Sequence, residues 1–232
     1  MEKYVIRQIG RPDPGVLEQF GQFDVSTVYE AQGKIGLIRG IRPVQQGASI
    51  CGPAVTAVCY AGDNLMIHAA IEVCQPGDVL VVSTIGEGTH GMVGELIVTA
   101  LMRRGVKGLI IDSGVRDVRR IREMGFPVWA KAISPEGTTK SRGGWVNAEA
   151  VCGGCVVRPG DLVLADDDGI VTVRREDAPA VIELVRQRMA REEKTKERIM
   201  NGELSVDFYH LRETLAKEKV NYYDTGRDRP AT

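Results

Sequence analysis

The stretch IDSGVRD, residues 111–117, sets a cationic and an anionic side chain next to each other, Arg116 and Asp117, just after a β-branched apolar run. Loops that leave buried strands of α/β proteins are where polar groups converge on ligands. A carboxylate at such a place suits a hard divalent cation, Mg²⁺ or Mn²⁺, with water filling most of the shell. A guanidinium beside it suits an anionic oxygen, present in the substrate or developing in a transition state. The same residues also read as a surface charge cluster opening a helix, RDVRRIREMG, since an acidic group is favoured at a helix start.

A second group of candidates lies upstream. In GMVGELIVTALMRRG, residues 91–105, apolar positions recur at three and four, which predicts a helix over the whole stretch that Gly105 stops. Its first turn holds Gly91, Gly94, Glu95, Leu96 and Ile97. Glycines there allow a ligand to approach unpaired backbone N–H groups, and the helix dipole favours a carboxylate. The alternative for Gly91 and Gly94 is packing space. A strand over VKGLIID, residues 106–112, returns beside this helix and is expected to stop at Ser113-Gly114. The helix tip and the strand end then face one pocket, bringing together an amide nest, a base candidate in Glu95, a cation in Arg116 and a metal ligand in Asp117.

Several elements must position these groups. PAVTAVCY (53–60), GDVLVVS (77–83) and FPVWAKAI (126–133) read as strands. FDVSTVYEAQG reads as a short helix capped by Asp24 and ended by Gly33, and GDNLMIHAAIEV as a helix capped by Asp63. VVRPGDLVLADDDGIVTV (156–173) reads as two strands with turns at Pro159-Gly160 and Asp168-Gly169. Strands alternating with helices, followed mostly by strands, predict an α/β core with a mixed sheet rather than a regular doubly wound fold. The texture changes near Glu176. The charged stretch that follows carries Ile182, Val185, Met189 and Ile199 at helical spacing, so 1–175 is expected to be the catalytic core and 176–232 a helical arm. That arm packs either on a neighbouring subunit or on its own domain.

Composition excludes some classes of function. The 232 residues are 43% hydrophobic and 26% charged with a net charge of −1, so no basic field exists for nucleic acid or an anionic membrane. No apolar run approaches the roughly 20 residues that span a bilayer. The opening MEKYVIRQIG does not resemble a signal peptide, and a cytoplasmic protein with free thiols is expected. Cys152 and Cys155 flank a Gly-Gly pair and read as a turn, because two further zinc ligands are missing. Asp166, Asp167 and Asp168 precede Gly169 and also read as a turn. His68 is expected to pack within its helix, His90 to lie outside the pocket, and Lys107, Lys131 and Lys140 to be solvated.

GELIVTALMRRGVKGLIIDSGVRD resembles the core of the metal-dependent 4-hydroxy-4-methyl-2-oxoglutarate / 4-carboxy-4-hydroxy-2-oxoadipate aldolases, which share their fold with the regulators of ribonuclease activity. Twenty residues intervene between Glu95 and Arg116-Asp117, as in the family pattern. GDNLMIHAAI, QPGDVLVVS, PVWAKAISPEGTTK and PGDLVLADDDGIVTV are similar too, so the likeness covers roughly residues 15–175. It implies a swivelling β/β/α-type domain, with Asp117 ligating Mg²⁺ or Mn²⁺ and Arg116 contacting pyruvyl oxygens. Backbone groups of Gly94, Glu95, Leu96 and Ile97 would hold the substrate carboxylate, and Glu95, where relatives carry Asp, would orient the water that takes the C4 hydroxyl proton. Glu192 or Glu193 of a neighbouring subunit would complete the site in a homotrimer or homohexamer. The implied reaction is retro-aldol cleavage of 4-carboxy-4-hydroxy-2-oxoadipate, or of 4-hydroxy-4-methyl-2-oxoglutarate, in aromatic acid degradation, with oxaloacetate decarboxylation alongside. The shared fold also allows a non-catalytic regulator that binds an RNA-processing enzyme; the arm after Glu176 favours the aldolases.

Overall fold

The runs VLVV at 79–82 and LII at 109–111 show no polar alternation because both lie in a sheet covered on its two faces. Val79, Val81 and Ile110 join one buried cluster, while Leu80, Val82, Leu109 and Ile111 join another. Continuous β-branched and aliphatic residues are what a strand buried on both sides requires. The structure, a computed structural model, describes residues 2–225. Residue 1 and the last part of the expected arm, residues 226–232, lie outside the described residues.

The elements that build the site are β1 (Ile50–Tyr60), α1 (Leu65–Val73), β2 (Val79–Ile85), β3 (Gly91–Val93), α2 (Glu95–Arg103), β4 (Gly108–Val115), α3 (Val118–Met124) and β5 (Val128–Ile133). Strands β1, β2, β4 and β5 are neighbours in that order and all parallel, with Ala54 opposite Val79, Val79 opposite Gly108 and Leu109 opposite Val128. Beyond β1, β6 (Leu162–Ala165) and β7 (Ile170–Val173) continue the sheet antiparallel. The result is a mixed α/β domain, as the element order predicts. Parallel strands share one carboxyl edge, and α1, α2 and α3 all start beyond it, which is where such sheets place ligands.

The sequence reading errs at two adjoining places. The helix expected over 91–105 begins only at Glu95, and Gly91–Val93 is instead β3, parallel to β4 with Gly91 opposite Gly114 and Val93 opposite Val115. The strand expected to stop at Ser113-Gly114 runs on to Val115. Both follow from a close backbone approach. A Cβ on Gly114 would lie 2.1 Å from the Thr89 carbonyl oxygen, and one on Gly91 2.3 Å from that of Ser134.

The chain divides at Arg186/Gln187 into two units. In the first, Ala178, Val181, Ile182 and Val185 from the first turns of α4 (Ala178–Met200) pack with Phe20, Val28 and Leu164. In the second, none of the described residues 187–225 is buried. Met189 and Ile199, which continue the same apolar spacing, are exposed.

Gly114→Ala tests the close approach of β3 to β4. Overpacking of this kind costs about 1–3 kcal/mol, so a lowered urea midpoint is expected; an unchanged midpoint would show that the two backbones are not held this close.

Candidate functional site

The adjacent opposite charges are explained by the backbone. Asp117 is in the left-handed region (φ 56°, ψ 30°), a conformation that Asp tolerates better than most residues. As the N-cap of α3 its side chain makes no capping hydrogen bond. Its Oδ2 instead accepts the backbone N–H of Glu95 at 3.1 Å. Arg116 is anchored where it leaves the sheet, its N–H donating to the Val93 carbonyl at 2.8 Å. The start of α2 and the end of β4 therefore meet. They can do so because Gly94 lies between them: a Cβ there would sit 2.3 Å from Asp117 Oδ2 and 3.1 Å from Arg116 Cγ.

Glu95, Leu96, Ile97, Arg116 and Asp117 line a single cavity of about 410 Å³ with Gly94. The first intrahelical bond of α2 is Val98 N–H to the Gly94 carbonyl. The amides of Leu96 and Ile97 thus have no partner within the helix, while that of Glu95 is taken by Asp117. Arg116 and Asp117 are about half exposed, with Nε 3.9 Å from Oδ2, a loose pair that leaves the guanidinium available to an incoming anion. Among the described residues no group of three or more His, Cys, Asp or Glu side chains could hold a metal ion. One or two carboxylates, Asp117 and Glu95, suit a water-rich hard cation of the Mg²⁺ kind rather than a caged one. That donor set does not suit zinc.

The cavity is also lined from the start of α1 and from the loop after β5. Asn64, His68 and Lys140 line the same cavity. Asp63 ties these segments together. Its Oδ1 accepts the Leu65 N–H at 3.0 Å, and its Oδ2 accepts the Thr139 hydroxyl at 2.6 Å and the N–H groups of Ser141 and Arg142 at 2.7 and 3.1 Å. Asn64, not Asp63, is the N-cap of α1. Burial alone would raise the Asp63 carboxyl, but the hydrogen bonds from Thr139, Ser141, Leu65 and Arg142 outweigh it and hold the group well below the usual carboxylate range.

These features can be set beside known proteins. The sequence model of the RraA-like family, described as Aldolase/RraA, matches residues 24–172. This chain belongs to the RraA-like family. A protein of Halalkalibacterium halodurans with the provisional name 4-hydroxy-4-methyl-2-oxoglutarate aldolase is 26% identical over 194 residues, 83% of this chain and 92% of that one. An uncharacterized protein of Methanocaldococcus jannaschii is 30% identical over 192 residues, 82% and 91% of the two chains. Among solved structures, Streptomyces coelicolor RraAS2, described as an unusual member of the RNase ES inhibitor RraA family, has a TM-score of 0.74 at 28% identity, covering 82% of this chain and 99% of that one. That share exceeds what residues 1–175 make up, so part of the expected arm has a counterpart in RraAS2, and its presence does not separate aldolase from regulator.

Other candidates in this RraA-like chain fall outside the cavity. Asp166 accepts the N–H groups of Val25, Asp168 and Gly169, so its run is a structural turn. Cys152 and Cys155 face each other across a Gly-Gly hairpin, and burial pushes the Cys152 thiol up. Lys107 donates to the Cys51 carbonyl, and Lys131 pairs with Asp112 at 3.0 Å. His90 does not line the cavity, while His68, expected to pack, does. Asn64, His68 and Lys140 had one weak signal: Asn64 and His68 are four apart on one helical face.

A depressed carboxyl stabilises the fold above its unfolded-state value, about 3.9, and that stability is lost as pH falls through the lower folded-state value. Asp63→Asn is therefore expected to lower stability near pH 7 and to flatten its fall between pH 5 and 2, as read by denaturation at several pH values. A parallel pH dependence in the variant and the parent would contradict the role given to Asp63.

Proposed function

We propose that this RraA-like chain is a divalent-cation-assisted lyase that cleaves 4-carboxy-4-hydroxy-2-oxoadipate to pyruvate and oxaloacetate and 4-hydroxy-4-methyl-2-oxoglutarate to two pyruvates, with oxaloacetate decarboxylation as a side activity. The carrying observation is the meeting of a helix start, a guanidinium and a carboxylate in one cavity. The likeness to the Halalkalibacterium protein supports the substrate class. The Leu96 and Ile97 amides bind the C1 carboxylate, aided by the dipole of α2. Arg116 binds the keto oxygen and stabilises the negative charge that gathers there as the C3–C4 bond breaks. Glu95 takes the C4 hydroxyl proton through a water molecule, and the same route returns a proton to C3, giving pyruvate. Asp117, with water, would hold an Mg²⁺ or Mn²⁺ ion, which would supply Lewis-acid polarisation of the keto acid. No lysine is needed for a Schiff base.

The exposed arm fits assembly. With no described residue beyond Arg186 buried, the segment gains apolar contacts by packing on a neighbouring copy, which would bring Glu192 or Glu193 to that copy's cavity. A homotrimer or homohexamer would satisfy this.

The likeness to RraAS2 favours a second reading, a non-catalytic regulator that binds an RNA-processing enzyme. A coupled pyruvate assay with and without chelator separates the two. Turnover that a chelator abolishes and Mg²⁺ or Mn²⁺ restores is expected. Asp117→Ala is expected to lose activity by about two to three orders of magnitude, the scale of losing a group that stabilises developing charge. Most of the parent activity remaining in excess Mg²⁺ would refute the role of Asp117, and no turnover with a stable ribonuclease complex would leave the regulator.

A further inference from the structure

A pair of nucleophiles lies outside the cavity described above. Cys152 and Cys155 close a hairpin of two short antiparallel strands, Ala150–Cys152 and Cys155–Val157, and stand directly opposite each other in its register. The residues between them, Gly153 and Gly154, have φ of 51° and 76°. A two-residue turn with both φ values positive keeps the strands it joins closely paired. The turn is also clamped: the Gly153 N–H donates to Asp112 Oδ2 at 3.0 Å, and its carbonyl accepts the Arg39 N–H at 3.0 Å. Directly opposed residues of an antiparallel pair have Cα atoms about 4.5–5.5 Å apart, and a disulfide spans about 4.4–6.8 Å. Both side chains leave the same face of the hairpin, yet each thiol has its own partner. The Cys152 S–H donates to the Val82 carbonyl at 3.8 Å, and Cys155 Sγ lies 3.5 Å from the Thr172 hydroxyl oxygen. Side-chain rotation is therefore the motion that joins them, on a backbone already set for the bond.

The two thiols differ in access. Cys152 is fully buried, and burial pushes its thiol up. Cys155 is partly exposed and lines a cavity of about 400 Å³ between the hairpin and the start of α4, with Ile35, Val156 and Leu184 around it. We infer that Cys155 and Cys152 form a redox-active dithiol that takes small organic disulfides through this cavity. The Cys155 thiolate attacks one sulfur of the small disulfide, whose S–S bond breaks and releases one thiolate. Cys152 then gives up its proton and attacks Cys155 Sγ, which closes the protein disulfide and releases the second thiolate. In sum the dithiol loses two electrons and two protons, and the small disulfide gains both as two thiols. Burial suits Cys152 to the second step, since a shielded thiol reacts only with a sulfur brought beside it. The remaining cysteines, Cys51, Cys59 and Cys74, are buried, with thiols pushed up to about 11, 12 and 12, and stand outside this exchange. The inference is independent of the lyase reading.

Oxidised glutathione is the probe. The full reduced chain is treated with it and followed by intact mass and peptide mapping. The parent should lose the mass of two hydrogens, gain a bond between Cys152 and Cys155, and return to the dithiol with dithiothreitol. Cys152→Ala should stop at the mixed disulfide, with one glutathionyl group on Cys155. Cys155→Ala should react more than about tenfold slower than the parent, because each pKa unit above ambient pH removes about a tenfold share of the thiolate of a buried cysteine. The map of the parent decides the bond by itself, so the inference does not depend on how the variants fold. A parent that keeps a stable glutathionyl group, is not modified at all, or joins other cysteines would overturn it. Cys155→Ala reacting as fast as the parent would do the same. None of these readouts involves turnover, so failure here leaves the lyase reading untouched.

Discussion

The site depends on a missing side chain. The end of β4 and the start of α2 touch across Gly94, where even a methyl group would collide with the Asp117 carboxylate. From that contact the rest follows. Asp117 adopts a left-handed conformation that turns its carboxylate away from its own helix and onto the Glu95 amide. Arg116 is pinned by its backbone to Val93 while its side chain stays half exposed. A residue in this conformation carries a modest strain that the surrounding structure must hold. Here the holding is done by β3, which is itself possible only because Gly91 and Gly114 let three backbones crowd together.

A single buried carboxylate organises the segments that complete the cavity lining. Asp63 is 2% exposed, and it joins the entry to α1 with a loop some 76 residues further along the chain. Its hydrogen bonds come from neutral backbone and hydroxyl donors, so they satisfy the charge without a paired cation. The carboxylate that ties these segments together is therefore buried and saturated, while the Arg116 and Asp117 side chains stay about half exposed. This division allows rigid placement and open access together.

How much of this was legible in the sequence differs by element. The parallel strands were readable because burial on both faces leaves an unbroken apolar run, and 79–82 and 109–111 are such runs. The pairing of Glu95 with Arg116-Asp117 was readable because a helix followed by a returning strand has nearly fixed geometry over twenty residues. β3 was not, because three residues of GMV fit helical and extended periodicity equally well, and only the pairing with Gly114 decides. Nor were the donors to Asp63 readable. Asp before an apolar helical run is a capping signal, and the hydrogen bonds that define this Asp come from Thr139, Ser141 and Arg142, about which local sequence carries no information. Asn64 and Lys140 share that obscurity, since the same contacts bring them to one cavity.

Charge balance connects the groups that line the cavity. The cavity contains two cationic side chains, Arg116 and Lys140, and two carboxylates, Asp117 and Glu95, so its formal sum is zero when the His68 imidazole is neutral. A substrate with two carboxylates, such as 4-hydroxy-4-methyl-2-oxoglutarate, would by itself bring two uncompensated negative charges into a partly dehydrated space, which is unfavourable. A divalent cation entering with it restores the balance. On the proposed reading, cation and dicarboxylate should therefore favour each other's binding, and a keto acid with one carboxylate should depend on that partnership less.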